Sequence, residues 1–214
     1  MYIPDFMITA YSSKEGYPQS WCPGSGPYLG CELPIENAGP LISPFDSAYL
    51  GPASYDIGVG LKFASPSKLR AFVMNGLEAV RTLPMANEID GARERLRPNE
   101  EIEIALEPGQ PVLCHSLEYV RIPPHLAGML SMRSSFARDW LDHSAADSIW
   151  PGFQGQITFE LRNHGPRHFH LRSGMRPLQL AFARMAATPE RPYAGIYQKQ
   201  KGQLHSLKDK EASL

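Results

Sequence analysis

The 214-residue sequence contains few of the residues from which disulfides, metal clusters and membrane spans are built. Its three cysteines, Cys22, Cys31 and Cys114, form no C-x-x-C pair, and an odd number of scattered cysteines is typical of reduced thiols in an intracellular protein. The first ten residues lack the basic and apolar parts of a signal peptide. No apolar run approaches the roughly 18 residues that span a bilayer. We therefore expect a soluble, cytoplasmic protein that does not insert into membranes.

The sequence also lacks an excess of charge of either sign. It has 21 Lys and Arg against 22 Asp and Glu, which gives a formal net charge of -1. A protein that binds duplex nucleic acid needs a broad basic face to release counterions, and this composition argues against one. A small anionic ligand, held by a few local arginines or lysines, remains compatible with it.

Several well-known catalytic signatures are missing. A zinc nucleotide deaminase would show H-x-E followed by P-C-x-x-C, but His115 precedes Glu118 by one residue too many and no such cysteine pair follows. The P-loop, the G-x-G-x-x-G turn and the G-x-S-x-G elbow are also absent. His164, His168 and His170 lie close together in the sequence, and His168 and His170 share one face of a predicted strand. No third and fourth ligand that would complete a zinc site with these two is evident. We therefore predict no metal site built by the protein.

Proline and glycine are frequent, with 20 and 18 residues, and they are spread along the chain. Turns this close together leave little room for long helices and favour short strands, so we predict a mainly β fold. The predicted strands are 55–63, 102–106, 112–122, 126–132, 156–161, 168–171 and 178–185. The turn Glu107–Gln110 carries Pro and Gly in its central positions. Between 68 and 97 the pattern is mixed and indicates a short helix or a long loop.

The composition divides the chain into three parts. Residues 1–51 carry closely spaced prolines and glycines with little apolar periodicity, which indicates an irregular N-terminal extension. Residues 52–203 hold the predicted strands and form the expected ligand-binding domain. Residues 204–214 are polar and indicate a mobile C-terminal tail.

A polar cluster, Arg133–Arg138, directly follows the apolar strand at 126–132. Two hydroxyls, Ser134 and Ser135, are flanked by two guanidinium groups. The serines would suit the N-cap of a short helix. Guanidinium forks and hydroxyls also bind phosphate oxygens, often bidentately. The residues alone leave both interpretations open.

A second candidate is Glu160, at the end of the turn and strand Ile149–Glu160. Alternation places Ile157, Phe159 and Leu161 on one face of this strand and Glu160 on the other. On a solvated face Glu160 would be an ordinary surface carboxylate. In a pocket, partial burial would raise its pKa and suit it to carry protons.

These residues belong to five segments that together resemble the motifs shared by dCTP deaminases and trimeric dUTPases. In chain order the segments are Pro52–Ile57, Arg133–Arg138, Ile149–Glu160, Ser173–Leu180 and Tyr197–Gly202. Two further segments, Leu106–Gly109 and Leu117–Pro123, resemble the deaminase branch. The resemblance covers residues from about 40 to 203, and its strength lies in the order of the segments rather than in any one of them.

The resemblance implies a distorted β-barrel or jelly-roll subunit of the dUTPase-like type. Such subunits would assemble as a homotrimer with active sites between them. The ligand would be a pyrimidine nucleoside triphosphate, held in part by the second segment. Magnesium would be bound through the triphosphate rather than by a protein cage, and no zinc would be needed.

Position 150 and Glu160 favour one branch of the family. In dUTPases the catalytic base is an aspartate at the turn of the third segment, where this sequence has Trp150. A tryptophan has no atom that can accept a proton from water. In deaminases the proton carrier is the glutamate that ends the following strand, and this sequence keeps it as Glu160. The resemblance therefore favours the deaminase branch.

The resemblance also assigns roles to individual residues. Glu160 would take a proton from a water held by Ser134 and by the backbone carbonyl of Ala146, and Arg138 would keep water and glutamate in register. The nucleotide-binding residues would be Arg133, Ser135, Phe136, Ala137, Trp150, Thr158, Phe159, Tyr193, Tyr197 and Gln200.

The function that follows is hydrolytic deamination of dCTP, or of a related cytosine nucleotide, to dUTP and ammonia. A dUTPase or a bifunctional deaminase–dUTPase is the second interpretation, which Trp150 disfavours. A trimer that senses a nucleotide without turnover is the third. Intact Glu160 and Arg138 favour catalysis over sensing.

Overall fold

Strands make up most of the regular structure in this computed structural model, which describes residues 2–13, 39–92, 96–143, 146–202 and 205–207. The helices are α1 (Asp5–Ser12), a short 3₁₀ helix (Ser47–Tyr49) and α2 (Ser134–Arg138). The strands are β1 (Ile42–Ser43), β2 (Ser54–Ile57), β3 (Val59–Asn75), β4 (Glu78–Thr82), β5 (Ala86–Asp90), β6 (Glu100–Leu106), β7 (Pro111–Arg121), β8 (Leu126–Met132), β9 (Leu141–His143), β10 (Ser148–Ile149), β11 (Gln154–Asn163), β12 (Phe169–Arg172) and β13 (Leu178–Arg184).

The strands form two antiparallel sheets. The larger has nine strands, with the order β12-β6-β3-β7-β11-β9 and with β1, β4 and β5 attached to it at the side. Strand β3 is 17 residues long, and it pairs with β5 and β7 along residues 59–69 and with β4 and β6 along residues 70–75. The smaller sheet has the order β10-β8-β13-β2. The predicted mainly β fold is therefore confirmed.

One hydrophobic cluster draws on both sheets. Phe63 and Phe159 of the larger sheet and Tyr55 and Phe182 of the smaller sheet are fully buried in it. Burying a side chain of this size is worth about 1.5–3 kcal/mol. Because β11 alternates between faces, Phe159 points into this cluster and its neighbours in sequence point away from it.

Most predicted strands are present with small changes in their ends. The strand at 126–132 matches β8, and the turn Glu107–Gln110 closes with a hydrogen bond from Gln110 N to Glu107 O of 3.0 Å. The strand predicted at 55–63 is divided at Gly58, whose backbone N–H donates to Glu118 and whose carbonyl accepts from Leu117. The prediction for 68–97 was wrong, because the described residues of this range form the end of β3 and strands β4 and β5.

The described part of residues 1–51 is more regular than an irregular extension. Helix α1 buries Met7, Ile8 and Tyr11 in the same hydrophobic cluster as the sheets. The Tyr11 hydroxyl lies 3.0 Å from Nε2 of His125, and β1 pairs with β7. These residues therefore share the core of the predicted 52–203 domain. Residues 14–38, with two of the three cysteines, lie outside the described residues, as do 208–214 of the predicted tail.

None of the described helices is long and apolar enough to cross a bilayer.

Candidate active site

A cavity of about 520 Å³ opens beside the first half of β11. Strand β11 contributes Ile157, Thr158 and Glu160 to its lining, and β7 contributes Leu113. The other walls come from the turn that precedes β11 and from the chain that follows β13. None of the described lining residues is an arginine or a lysine. Among these residues the cavity therefore holds a carboxylate but no permanently charged cation.

Glu160 is the only carboxylate among the described lining residues of this cavity. Its side chain is 34% exposed, and its Oε2 atom is buried and bonds no described residue. Burial raises the pKa of Glu160 above its usual range, whereas the nearby His143 and backbone hydrogen bonds at Ala146 and at Glu160 itself act in the opposite direction. Glu160 is therefore a half-buried carboxylate in a pocket, as the second of the two sequence interpretations expects.

His143 was not predicted from the sequence. It ends β9 and lies beside β11, where Leu161 is its cross-strand partner. Its Nδ1 atom lies 3.2 Å from the backbone oxygen of Glu160 and 4.0 Å from Glu160 Oε2. No local motif marks a single histidine in this polar stretch, because its importance depends on the pairing of β9 with β11.

Aromatic side chains surround the entrance of the cavity. Trp150 is 65% exposed and lines the opening. Phe153, Tyr193 and Tyr197 line the cavity as well, and the rings of Phe153 and Tyr193 lie 5.8 Å apart. A flat heteroaromatic ligand would find several faces to stack on here.

The chain from Tyr193 to Gly202, here called the strap, lies along the start of β11. Lys199 N donates to Gln154 O over 2.6 Å, and Gln156 N donates to Gln200 O over 3.0 Å. Gln200 also donates its side-chain amide to the backbone oxygen of Gln156, while its Oε1 is buried and bonds no described residue. The strap thus brings Tyr193, Tyr197 and Gln200 to the cavity.

The polar cluster at 133–138 forms α2 but lies outside this cavity. The helix begins at Ser134, and the residue at its N-cap is Arg133, whose side chain makes no capping hydrogen bond. Neither serine is therefore the N-cap, which was one of the two interpretations that the sequence left open. Ser134, Ser135 and Arg138 are exposed. Within one protomer, these groups and Glu160 do not line a common cavity.

Arg133 instead joins the first and fourth motif segments. Its Nε lies 3.2 Å from a carboxylate oxygen of Asp56, and its Nη1 donates to the backbone oxygen of Arg176 over 2.9 Å. Arg176 in turn donates to Asp56 O and to the carboxylate of Glu118, the latter over 2.7 Å. Glu118 is buried and also accepts from Gly58 N at 3.0 Å. This chain of contacts fixes where α2 begins.

The structure thus sorts the predicted site residues into two groups. The cavity is lined by Ala146, Trp150, Thr158, Glu160, Tyr193, Tyr197 and Gln200. The second group, at α2, comprises Arg133, Ser134, Ser135, Phe136, Ala137 and Arg138. Phe159 belongs to neither, because its side chain is fully buried in the core.

The histidines considered as metal ligands are dispersed. His170 Nδ1 lies 2.8 Å from Glu103, and His164 Nε2 lies 3.6 Å from Asp142. In the described part of the chain, no three His, Cys, Asp or Glu side chains come together as a metal site would require.

Comparisons with known proteins agree on one family. A family model described as dCTP deaminase-like matches residues 35–185. A "dCTP deaminase, dUMP-forming" of Aquifex aeolicus is 32% identical over 173 residues, which cover 80% of this chain and 88% of the relative. The protein of the same name from Corynebacterium glutamicum (strain R) is 35% identical over 167 residues, covering 75% of this chain and 84% of the relative.

Among solved structures, the 2'-deoxycytidine 5'-triphosphate deaminase from Agrobacterium tumefaciens has a similar fold. The TM-score is 0.50 at 18% identity, over 85% of this chain and 47% of that chain. This chain therefore spans about half the length of that protein. The likeness supports the fold.

Proposed function

The chain belongs to the dCTP deaminase-like family, and from this premise we propose that it hydrolyses the exocyclic amine of dCTP or of a related cytosine nucleotide. The observation that carries the proposal is Glu160, a half-buried carboxylate with a raised pKa in an aromatic-lined cavity. A carboxylate whose pKa lies nearer to neutrality is better suited both to accept and to return a proton.

The proposed reaction uses one water and one proton carrier. Glu160 takes a proton from a water held by Ser134 and by the backbone carbonyl of Ala146, and the resulting hydroxide adds to C4 of the cytosine ring. Glu160 delivers that proton to N3. It then carries a second proton, from the new hydroxyl at C4, to the amine, which leaves as ammonia and yields the uracil nucleotide. Acid–base catalysis of this kind contributes about 10²–10⁴-fold to a rate.

A second subunit is needed to complete this site. The cavity has no Arg or Lys among its described lining residues, yet a triphosphate carries several negative charges that cationic groups must bind. The exposed α2 of the same protomer presents Arg138 and two serine hydroxyls outside that cavity. In a homotrimer with cyclic symmetry, α2 of one subunit faces the Glu160 cavity of the next.

Magnesium enters this proposal with the substrate. The ion prefers a few oxygen ligands and commonly binds through phosphates. Asp56, a carboxylate beside the start of α2, is bonded to Arg133. The residues present thus fit a magnesium ion that arrives bound to the triphosphate. We also propose that the protein acts in the cytoplasm, where nucleotide pools are held.

Release of pyrophosphate is the second candidate activity. It is favoured by the names of the curated relatives, which are called dUMP-forming. It is disfavoured by Trp150, which has no proton acceptor at the position of the dUTPase base. Trp150→Asp should therefore introduce or increase pyrophosphate release. The matched variant Trp150→Phe keeps an aromatic ring without a carboxylate and should leave it unchanged.

The proposed function is tested by following ammonia and pyrophosphate separately with a panel of cytosine nucleotides. Glu160→Gln keeps the shape of the side chain but cannot accept the proton, so ammonia release should fall by at least about 10²-fold while nucleotide binding persists. The control Glu78→Gln removes an exposed carboxylate of β4 and should leave the rate unchanged.

Two results would overturn the proposal. Ammonia release from Glu160→Gln at the rate of the unmodified protein would exclude Glu160 as the proton carrier. Tight nucleotide binding without turnover in the unmodified protein would instead support a nucleotide-sensing trimer.

A further inference from the structure

His143 lies directly behind the proposed proton carrier. Its side chain is 1% exposed. The ring contacts Glu160 twice, since Nδ1 lies 3.2 Å from the backbone oxygen and 4.0 Å from Oε2. The first contact is a hydrogen bond to the main chain of the residue whose carboxylate reacts. The second brings the same nitrogen near the reacting group itself.

The hydrogen bond shows which nitrogen of the ring donates to Glu160. A carbonyl oxygen only accepts hydrogen bonds, so Nδ1 carries the hydrogen that points to Glu160 O. Nε2, on the other side of the ring, is buried and bonds no described residue. The atom of His143 that touches Glu160 is therefore a donor of fixed direction.

We propose that His143 is a positioning residue, which uses its Nδ1–H to hold Glu160 in the orientation that proton transfer requires. This inference rests on the proposed function, because it concerns how Glu160 does its work. The contact fixes the backbone from which the carboxylate extends, and a shift of about 1 Å in a catalytic group can cost about 10²-fold in rate. A short strand of three residues, β9, offers little else to hold this edge of β11.

The imidazole also acts on the charge of Glu160. Burial raises the pKa of Glu160, and His143 is the largest influence that opposes the rise. The other charged groups on elements packed around β9 are Arg162 of β11, Arg138 of α2 and Asp142 of β9 itself. Removing the imidazole should therefore raise the pKa of Glu160 further and shift the acid limb of the kcat profile to higher pH.

Three substitutions separate the two nitrogens. His143→Ala removes both. His143→Asn replaces the Nδ1 donor with an amide of similar reach, whereas His143→Gln places an amide near Nε2. The matched control is His115→Asn, because His115 is also buried, with Nδ1 at 2.8 Å from a backbone oxygen and Nε2 without a described partner, but it does not contact Glu160.

We expect His143→Ala to lower kcat by at least about 10-fold with little change in KM, the pattern of a lost transition-state contribution. His143→Asn should recover most of that loss and His143→Gln should not. His115→Asn should leave the acid limb in place. Recovery by Gln rather than Asn would overturn the proposal, as would unchanged kcat in all three variants. If the Ala variant fails to fold, the order of the Asn and Gln variants still decides.

A carboxyl titration followed by ¹³C NMR, with Glu160→Gln to assign the signal, separates this inference from the proposed function. The Glu160 midpoint should rise in the His143 variants and stay unchanged in His115→Asn. An unchanged midpoint in the His143 variants would overturn the positioning role even if the protein deaminates dCTP. If the protein releases no ammonia from any nucleotide, the proposed function fails while the titration still decides whether His143 acts on Glu160.

Discussion

Two inactive variants should restore activity to each other if the active site is shared between subunits. Glu160→Gln removes the proton carrier from the cavity, and Arg138→Gln removes a guanidinium from the exposed α2. Neither change disturbs the core, because Arg138 is exposed and Gln has nearly the shape of Glu. Within one protomer the two residues do not line a common cavity, so each defect belongs to a different half of the proposed site.

The expected fraction of restored active sites follows from the random assembly of the two variant chains into trimers. When the two variant chains are co-expressed in equal amounts, each trimer site takes its cavity from one chain and its α2 from the next. The cavity is intact with a probability of one half, and so is α2, so about a quarter of the sites should be complete. If both residues acted within one protomer, no site would be complete.

A second mixture gives an independent value. Wild-type chains co-expressed with the double variant Glu160→Gln/Arg138→Gln should again retain about a quarter of the sites if the site is shared, but about half if it is not. The readout is ammonia release per trimer, with sedimentation to check a mass three times the 23.8 kDa of one chain. Absence of recovery in the first mixture, or one half in the second, would refute the shared site.

Three further predictions concern pH, stability and metal. Because the pKa of Glu160 is raised in the folded state, the folded protein holds this proton more tightly than the unfolded chain does. Ionisation of Glu160 therefore destabilises the fold as pH rises, and Glu160→Gln should increase the free energy of unfolding at neutral pH. The acid limb of kcat should lie above the usual Glu pKa of about 4.3, and a limb at or below that value would contradict this prediction. Glu118→Ala leaves the Arg176 guanidinium without its partner and should cost about 3–5 kcal/mol in chemical denaturation, against under about 0.5 kcal/mol for Glu78→Ala; a cost near that of the control would contradict this. A zinc-selective chelator, with magnesium supplied, should leave ammonia release unchanged, and one tightly bound zinc per subunit would disprove the expectation of a zinc-free protein.

The parts of the fold that could be predicted are those with one buried and one wet face. Strand β11 alternates strictly, and this pattern correctly placed Phe159 and Glu160 on opposite faces, although Phe159 was also expected to bind the nucleotide and is buried instead. The range 68–97 was misjudged because all five residues of β4 are exposed and no alternation marks them. Strands β4 and β5 are stabilised by pairing with β3, which a local pattern does not reveal.

The candidate site was partly predictable for a similar reason. Glu160 and Trp150 belong to sequence motifs and were found. His143 was missed because its relation to Glu160 arises only when β9 pairs with β11. The proposed contribution of α2 could be anticipated from the resemblance alone, because α2 does not line the cavity of its own protomer. Helix α1 was missed because it is short and its apolar residues, such as Ile8, precede the segment rich in proline and glycine.

The way in which the strap is held has a consequence for how this chain can diverge. Two of the contacts between the strap and β11, at Lys199 and Gln200, join main-chain atoms, which every residue other than proline can supply. Gln198 and Gln200 also hold the strap through their side-chain amides, whereas its other side chains can change with the ligand while the main-chain contacts keep its course. Gly155 of β11, which lies against the strap, cannot change in the same way. A Cβ atom there would lie 3.2 Å from the backbone nitrogen of Gln200 and 3.0 Å from the ring of Phe153. Selection for new ligands can therefore act on the strap without rebuilding the barrel, as long as this one glycine is retained.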